Sequence, residues 1–297
     1  MHYALSALAA VAVSVMILIN GELTRAYDLY AATVIIHVVG LVLISATCAL
    51  RGEKLGAARG LKWTAFLGGA VGVATTVFNN QAYGKIDVSA IVALNLVGQA
   101  GSSLAIDQFG LFGMKRAPMS AGKALGLLGA GAGIAYMLSG TACSPVPVGL
   151  SLLTGVTLTL NRYLNAQLAA RTSALVSTFY NYVVGLFVAL VVWAIAGAGG
   201  ASAWVAHLAS PWWVYLGGAI GVLIVLQANI STRHIPAFLM TLTLFIGQLF
   251  AGVALDWSLA GALSMRNVVG GACVLAGLCV NVWMDVRRAR DSFPRRG

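Results

Sequence analysis

Apolar residues follow one another along this chain in long, nearly unbroken stretches, and polar residues collect in the short links between them. Stretches of about 20 residues, the length of helix that crosses a ~30 Å hydrocarbon layer, recur from end to end. The pattern therefore predicts an all-α polytopic membrane protein with ten transmembrane helices. The predicted segments are 3–23, 29–50, 61–82, 87–107, 119–139, 147–165, 174–196, 211–231, 235–256 and 263–284.

Composition agrees with this reading. Of the 297 residues, 60% are hydrophobic and only 9% are charged, whereas soluble domains carry roughly 25% charged residues. This balance excludes a water-soluble enzyme or binding module. The first apolar segment lacks a positively charged start and has an internal copy, so we interpret it as a structural helix and not as a cleaved signal.

The net charge of +10 is explained by topology and does not indicate a nucleic-acid partner. Only Arg25, Lys85 and Arg266 fall on one side of the predicted membrane. The other fifteen basic residues fall on the side of the N-terminus: Arg51, Lys54, Arg59, Lys62, Lys115, Arg116, Lys123, Arg162, Arg171, Arg233, Arg287, Arg288, Arg290, Arg295 and Arg296. By the positive-inside rule, both termini are expected in the cytoplasm.

The chain contains an internal duplication. The stretch "NGELTRAYDLYAATVIIHVVGL" (20–41) aligns with "NAQLAARTSALVSTFYNYVVGL" (165–186) at an offset of 145, and "LGGAVGV" (67–73) aligns with "LGGAIGV" (216–222) at 149. Polar residues match in the same order, as the pairs Asn20/Asn165, Asn80/Asn229, Gln99/Gln248 and Asp107/Asp256. We therefore expect two repeats, 1–140 and 146–286, followed by a basic cytoplasmic tail, 287–297.

Each predicted repeat holds five helices. Five membrane crossings turn the second repeat upside down relative to the first, which is the inverted arrangement of many secondary transporters. In those proteins the substrate binds near the membrane midplane, where the repeats meet, and the site opens to each side in turn. The sequence thus favours a secondary transporter of a small polar metabolite, although channels, receptors and enzymes are also duplicated.

A family resemblance supports this reading. The ending N-A-x-L at 165–168, followed by a brief turn and an aromatic-rich helix that ends in "VVGL", resembles the YdcZ-like branch of the drug/metabolite transporter superfamily. The chain looks like a fused pair of that branch's five-helix units. The resemblance implies a bacterial inner-membrane exporter or permease. The mid-membrane glutamate of the small multidrug pumps cannot be carried over, because Glu22 lies near the outer end of its helix and its repeat partner is Gln167.

One ionisable residue, His37, lies deep in an apolar segment, "TVIIHVVGL" (33–41). It is the eighth residue after Leu29, about 12 Å into its helix at 1.5 Å per residue, and so near the membrane centre. An imidazole exchanges protons near neutral pH, which makes His37 a proton-coupling candidate. A neutral histidine that bonds a neighbouring helix is the favoured alternative, because no carboxylate accompanies it.

Amides near mid-depth are the better candidates for substrate contact. Gln99 and Gln248 occupy equivalent positions, each follows a glycine, and an amide both donates and accepts hydrogen bonds. Asn95 lies one turn before Gln99 on the same face, and Tyr182 stands where the first repeat has His37. We expect a central cavity lined by His37, Asn95, Gln99, Tyr182 and Gln248. Interhelical amide bonds that hold the bundle together are an equally supported alternative for the glutamines.

The remaining motifs narrow the class further. Asp107 and Asp256 would lie on opposite faces of the membrane, which rules out a shared aspartyl-protease dyad and favours structural roles. No metal-binding or cofactor-binding motif is present, so no cofactor is expected. The expected partners are a small-molecule substrate and membrane lipids, with a homodimer through the glycine-rich fifth helix as an alternative to internal packing. A lipid or lipid-linked flippase remains the alternative transport function, and an integral-membrane enzyme is less favoured.

Overall fold

A computed structural model describes residues 2–113, 116, 120–139, 144–196, 210–231, 237–260 and 264–291. The described residues are almost entirely helical. They form ten α-helices: α1 (His2–Ala26), α2 (Leu29–Leu50), α3 (Leu67–Ala82), α4 (Val88–Phe109), α5 (Ala121–Leu138), α6 (Pro145–Arg171), α7 (Ala174–Ala196), α8 (Leu216–Ser231), α9 (Ala237–Ala260) and α10 (Met265–Asp291). The all-helical class and the number of helices predicted from the apolar segments are confirmed.

Local sequence signals fix several helix ends. Asp28 caps α2, because its carboxylate accepts hydrogen bonds from the backbone N–H groups of Tyr30 and Ala31, both at 2.8 Å. Gly110 ends α4 in the left-handed conformation, with φ of 64°, which is the usual glycine cap at a helix C-terminus. Ser144 precedes α6, whose first residue, Pro145, has no N–H that would need a partner.

The structure differs from the predicted segments at two kinds of place. The third and eighth helices start later than predicted, because Trp63–Phe66 and Trp212–Tyr215 form 3-10 turns before α3 and α8. Two helices end later than predicted: α6 continues to Arg171, beyond 165, and α10 continues to Asp291, beyond 284 and into the predicted tail 287–297. Arg162, which was assigned to a cytoplasmic link although it falls within the predicted segment 147–165, lies nine residues before the end of α6. Hydrophobicity alone placed the end of α6 too early, because α6 ends in a long polar stretch.

Helices of one repeat pack mainly on helices of the other. In the first repeat α1 contacts α8 and α9, and in the second repeat α6 contacts α3 and α4. Three further contacts join α2 to α7, α4 to α9 and α5 to α10, and each of them pairs equivalent helices of the two repeats. The two repeats therefore interlock through matched contacts and do not form separate five-helix bundles.

Glycines set the closest of these helix contacts. A Cβ atom added to Gly133 would lie 2.6 Å from the carbonyl oxygen of Gly270, and one added to Gly277 would lie 2.8 Å from that of Gly126. The glycine-rich face of α5 is thus occupied by α10, which is the internal packing that the spacing favoured.

Five helices of the described part of the chain are long and apolar enough to cross a membrane. The qualifying stretches are Leu8–Ala26, Leu29–Leu50, Val88–Phe109, Ala174–Ala196 and Trp212–Ile230. Large apolar side chains on their outer surfaces are exposed, such as Val42, Phe187 and Ile195. Apolar residues exposed in this number are typical of a surface that faces lipid.

Candidate functional site

A cavity of about 70 Å³ lies between six helices: α1, α3, α4, α6, α8 and α9. It is large enough for several water molecules or for part of a small metabolite. Its lining residues are Ala9, Val13, Met16, Ile17, Asn20, Thr75, Thr76, Asn79, Asn80, Asn95, Thr154, Leu158, Arg162, Ile224, Gln227, Ala228 and Gln248. Both repeats contribute, so the cavity lies where they meet.

The cavity wall is built from equivalent helix faces that differ in polarity. On α6 the lining residues Thr154, Leu158 and Arg162 are spaced by four, which places them on one face of the helix. The equivalent residues of α1 at an offset of 145 are Ala9, Val13 and Ile17, and they line the cavity too. The α6 face therefore supplies a hydroxyl and a cation where the α1 face is wholly apolar.

The α3 and α8 faces show the same contrast. Thr75 and Asn79 of α3 line the cavity, as do Ile224 and Ala228, their equivalents on α8 at an offset of 149. The polar members of these pairs all come from α3 and α6, and the apolar members from α1 and α8. The cavity consequently has a polar wall on α3 and α6 and a mainly apolar wall on α1 and α8, to which Asn20 and Gln227 add one amide each.

Arg162 supplies the charge of the polar wall. It lies nine residues before the end of α6, and its Nη2 atom donates a hydrogen bond of 3.2 Å to Gln99 Oε1. No Asp or Glu is present among the described lining residues. Arg162 is half-buried, its hydrogen bond is to a neutral amide, and it forms no ion pair with a described residue.

Several amide atoms at or beside this wall have no hydrogen-bond partner among the described residues. Asn80 is 4% exposed, and both its Nδ2 and its Oδ1 are unpaired. The Oδ1 atom of Asn20 and the Nε2 atom of Gln99 are buried and unpaired as well. Most buried polar groups of proteins are hydrogen-bonded, so a cluster of unpaired ones at a cavity marks a place where a ligand can bind.

The equivalent amides of the second repeat are paired. Asn165, the counterpart of Asn20, donates to Asn161 Oδ1 at 3.0 Å and to Asn181 Oδ1 at 2.9 Å. Asn229, the counterpart of Asn80, donates to Thr178 Oγ1 at 3.1 Å. Neither residue lines the cavity. The same residue types thus stabilise helix packing in one repeat and remain free at the cavity in the other.

Of the five residues predicted to line a central cavity, Asn95 and Gln248 do so. The Asn95 side chain is in hydrogen-bond contact with Asn79 Oδ1 at 3.3 Å, and Ser14 Oγ ties α1 to the backbone carbonyl of Gln248 at 2.8 Å. Gln99 is buried directly behind the lining, where it holds Arg162. Gly98, its neighbour, allows close approach of a helix, because a Cβ atom there would overlap the Leu152 carbonyl of α6.

His37 and Tyr182 lie outside this cavity, at the crossing of α2 and α7. Their rings are 5.8 Å apart, and both residues are 4% exposed. His37 Nδ1 lies 2.8 Å from the carbonyl oxygen of Thr33 in the preceding turn, and Tyr182 donates to the carbonyl oxygen of Gly218 at 3.3 Å. Both side chains point into a helix crossing because glycines of the opposite helix leave room for the rings there.

Of the repeat-related pair Asp107 and Asp256, Asp256 has a structural role at the start of α4. Asp256 Oδ1 accepts from the backbone N–H of Val88, and Oδ2 accepts from that of Ser89, both at 2.9 Å. Asp256 of α9 therefore caps the first turn of α4 from another helix. The adjacent Asp87 accepts instead from Asn267 Nδ2 at 2.9 Å.

Arg162 and Asn80 are the residues that sequence reasoning undervalued. Arg162 was counted among the basic residues of the links, yet its repeat counterpart Ile17 lies inside an apolar helix, and that alignment was the available signal. Removing it from the cytoplasmic set leaves fourteen basic residues against three, so the charge bias is unchanged. Asn80 is named from sequence only as the repeat partner of Asn229, and the structure places it on the cavity wall, two residues before the end of α3.

Comparison with known proteins agrees with this architecture. A solved structure described only as "Crystal structure of protein" is 19% identical with a TM-score of 0.59, over 95% of this chain and 98% of that chain, which indicates a shared fold. No curated protein matches the chain. A family model described as "Putative inner membrane exporter, YdcZ" matches residues 1–136 and again residues 146–280. The two matches contain five helices each and span nearly the whole chain, which therefore belongs to the YdcZ family of the drug/metabolite transporters and carries that family's unit twice.

Proposed function

We propose that this protein is a secondary transporter that moves a small polar metabolite across the bacterial inner membrane by alternating access. The observation that carries the proposal is the cavity between the two repeats, which equivalent faces of α1 and α6 and of α3 and α8 enclose. Secondary transporters bind their substrates at this kind of position.

Inverted repeats are part of the proposal. Each family match holds five helices, and an odd number of crossings reverses the second unit in the membrane. The matched contacts between the repeats support this arrangement, because α1 meets α8 and α9 as α6 meets α3 and α4. Two nearly equivalent halves can exchange conformations, so that the cavity opens first to one side and then to the other.

The proposed orientation places both termini in the cytoplasm. The excess of basic residues in the links on that side supports it, with fourteen against three once Arg162 is assigned to α6. His37 is a weak candidate for proton coupling, because it contacts Tyr182 and its own helix and does not line the cavity.

Transport is tested by reconstituting the purified full-length chain in proteoliposomes and measuring uptake and counterflow of a metabolite panel, with and without a pH gradient. We expect saturable flux that exceeds the flux into protein-free vesicles.

A matched pair of variants tests whether the cavity is the transport pathway. Leu158→Trp fills the cavity and is expected to abolish flux, whereas Leu153→Trp on the exposed side of α6 (48% exposed) should leave it intact. Equal flux in both variants would reject the cavity as the transport site.

A further inference from the structure

The polar wall of the cavity offers hydrogen-bond donors that have no acceptor. A guanidinium has five N–H donors in a planar fork, and Arg162 uses one of them in its hydrogen bond of 3.2 Å to Gln99 Oε1. Asn80 Nδ2 on the cavity wall is a further donor without a partner among the described residues, and Gln99 Nε2, directly behind the wall, is another. A positive charge with several free N–H donors is complementary to a ligand with negatively charged acceptor atoms. A carboxylate is such a ligand.

Burial strengthens the inference. Gln99 is 2% exposed and Asn80 is 4% exposed, so bulk water does not satisfy their amides. Leaving a buried polar atom unpaired is unfavourable, and a ligand that pairs with it is bound correspondingly more tightly. The unpaired oxygens of Asn20 and Asn80 add two acceptor atoms for hydroxyl or amino hydrogens of the same ligand.

The opposite wall selects for an apolar part. Ala9, Val13 and Ile17 of α1 and Ile224 of α8 present only aliphatic carbon to the cavity. If an entirely polar ligand bound here, some of its hydrophilic groups would contact this apolar wall. Those groups would lose their bound water and gain no hydrogen bond in exchange. The two walls together fit a molecule with an acid group at one end and a short aliphatic group at the other.

We infer that the substrate of this site is a small amphipathic organic acid, whose carboxylate is bound by Arg162 and whose aliphatic part packs against α1 and α8. The inference rests on the proposed transport function, since it names the class of compound carried. It concerns binding, however, and can be tested on protein that is not transporting.

The test uses two ligand pairs that differ only in the acid group: isovalerate with isovaleramide, and leucine with leucinamide. Binding of each to the full-length chain in detergent is measured by isothermal titration calorimetry and by the shift in melting temperature that a bound ligand causes. We expect at least one of the two carboxylates to bind and both amides to bind at least tenfold more weakly. Failure of both carboxylates to bind, or equal binding of an acid and its amide, would overturn the inference.

Variants assign the effect to Arg162. Arg162→Gln should weaken binding of the carboxylate by roughly ten- to a hundredfold, as expected for loss of charged hydrogen bonds, and Arg162→Lys should weaken it less. Arg171→Gln removes the same charge from an exposed position at the end of α6 and serves as the matched control. Binding that Arg162→Gln leaves unchanged would contradict the inference. If Arg162→Gln does not fold, the comparison of acid with amide on the unaltered chain still decides.

The two proposals fail in different ways. Acid-selective binding in detergent without flux in proteoliposomes would reject transport and retain the binding site. Saturable flux of compounds that lack an acid group, with no selectivity for carboxylates, would retain transport and reject the acid as substrate.

Discussion

The imidazole of His37 and the phenol ring of Tyr182 face each other at the crossing of α2 and α7, with their centroids 5.8 Å apart. The two residues are equivalent by the offset of 145, and each ring packs on the equivalent glycine of the other helix, Tyr182 on Gly40 and His37 on Gly185. The pair thus fills one helix crossing from both sides. His37 was a candidate from sequence because its ring is ionisable. In the structure it forms one half of a packing contact between α2 and α7.

This packing predicts the behaviour of two His37 variants. His37→Phe keeps an aromatic ring at the crossing, so we expect transport and its dependence on a pH gradient to remain within about twofold of the original. His37→Ala leaves a void beside Tyr182 and should lower the free energy of unfolding by roughly 2–4 kcal/mol, in the range measured for truncation of buried side chains. Uptake in proteoliposomes and denaturation in mixed micelles measure the two effects. Loss of gradient-dependent flux in a well-folded His37→Phe protein would show instead that the imidazole is needed for coupling.

Hydrophobicity and duplication made the helices predictable. A bilayer requires about 20 apolar residues for each crossing, and few other patterns produce such segments, so α2 and α7 were located to the residue. The glycine contacts of α5 with α10 follow from spacing in the same way. These features depend only on residue type and on spacing along the chain, and both are known directly from the sequence.

Rotation about a helix axis was much harder to predict. The position of His37 along α2, eight residues after Leu29, follows from the helix bounds. Which neighbours its ring contacts could not be predicted, because the space for the ring is left by a glycine of α7. Arg162 was missed for a related reason: a basic residue three positions before the predicted helix end at 165 was assigned to the adjoining link, whereas α6 continues to Arg171. Both residues show that the lining of a cavity depends on contacts between helices. These contacts join residues of different repeats, which lie far apart in the sequence.

Glycines at the α4–α6 contact give a second prediction. A Cβ atom at Gly155 would overlap the Asn95 carbonyl and lie 2.7 Å from the Gln99 backbone nitrogen, and these are backbone atoms that cannot move aside easily. Gly155→Ala should therefore force α4 and α6 apart, with a loss of several kcal/mol in stability and misplacement of Arg162. Gly149→Ala is the control on the same helix, since no atom lies within 4 Å of its added Cβ. The control should be neutral or slightly stabilising, because alanine favours a helix more than glycine does.

Thermal denaturation in detergent compares the two glycine variants. A Gly155→Ala protein as stable as the Gly149→Ala protein would mean that α4 and α6 are not in the close contact described, and the position of Arg162 at the cavity would then need to be reconsidered.

The cap that Asp256 provides to α4 gives a third prediction. Its carboxylate satisfies two backbone N–H groups of another helix, at Val88 and Ser89. Asp256→Ala removes both bonds and should lower stability by about 2 kcal/mol, within the range of helix caps and of charged hydrogen bonds. Ser258→Ala, at an exposed hydroxyl that bonds only its own helix backbone, should change stability by less than about 0.5 kcal/mol. Denaturation midpoints of the two variants measure the difference, and equal midpoints would reject the capping role.

The last prediction concerns the end of α1, where three residues join it to the end of α3. Tyr83 donates to Glu22 Oε1 at 2.8 Å, Arg25 pairs with the same oxygen at 2.7 Å, and the Arg25 guanidinium lies 5.0 Å from the centroid of the Tyr83 ring. Burial, followed by the hydrogen bond to Glu22, raises the pKa of Tyr83 above its usual value near 10. The phenol therefore stays protonated in the folded chain at all working pH values. The contribution of the Tyr83 phenol to the free energy of unfolding is fully present below pH 10, where the phenol is protonated in the folded and the unfolded chain alike. This contribution declines as the pH rises above 10, because the phenol of the unfolded chain then ionises.

Removal of the hydroxyl tests this junction. Tyr83→Phe should lower stability by about 1–2 kcal/mol at pH 7, because Glu22 loses a partly buried hydrogen bond while the aromatic ring and its contact with Arg25 remain. Glu22→Gln and the double variant complete a double-mutant cycle, in which we expect a coupling energy of roughly 0.5–2 kcal/mol between positions 22 and 83. The stability difference between the unaltered chain and Tyr83→Phe, measured at increasing pH, should shrink above pH 10 as the phenol of the unfolded chain ionises. A coupling near zero at pH 7 would mean that the hydrogen bond between Tyr83 and Glu22 does not hold α1 to α3.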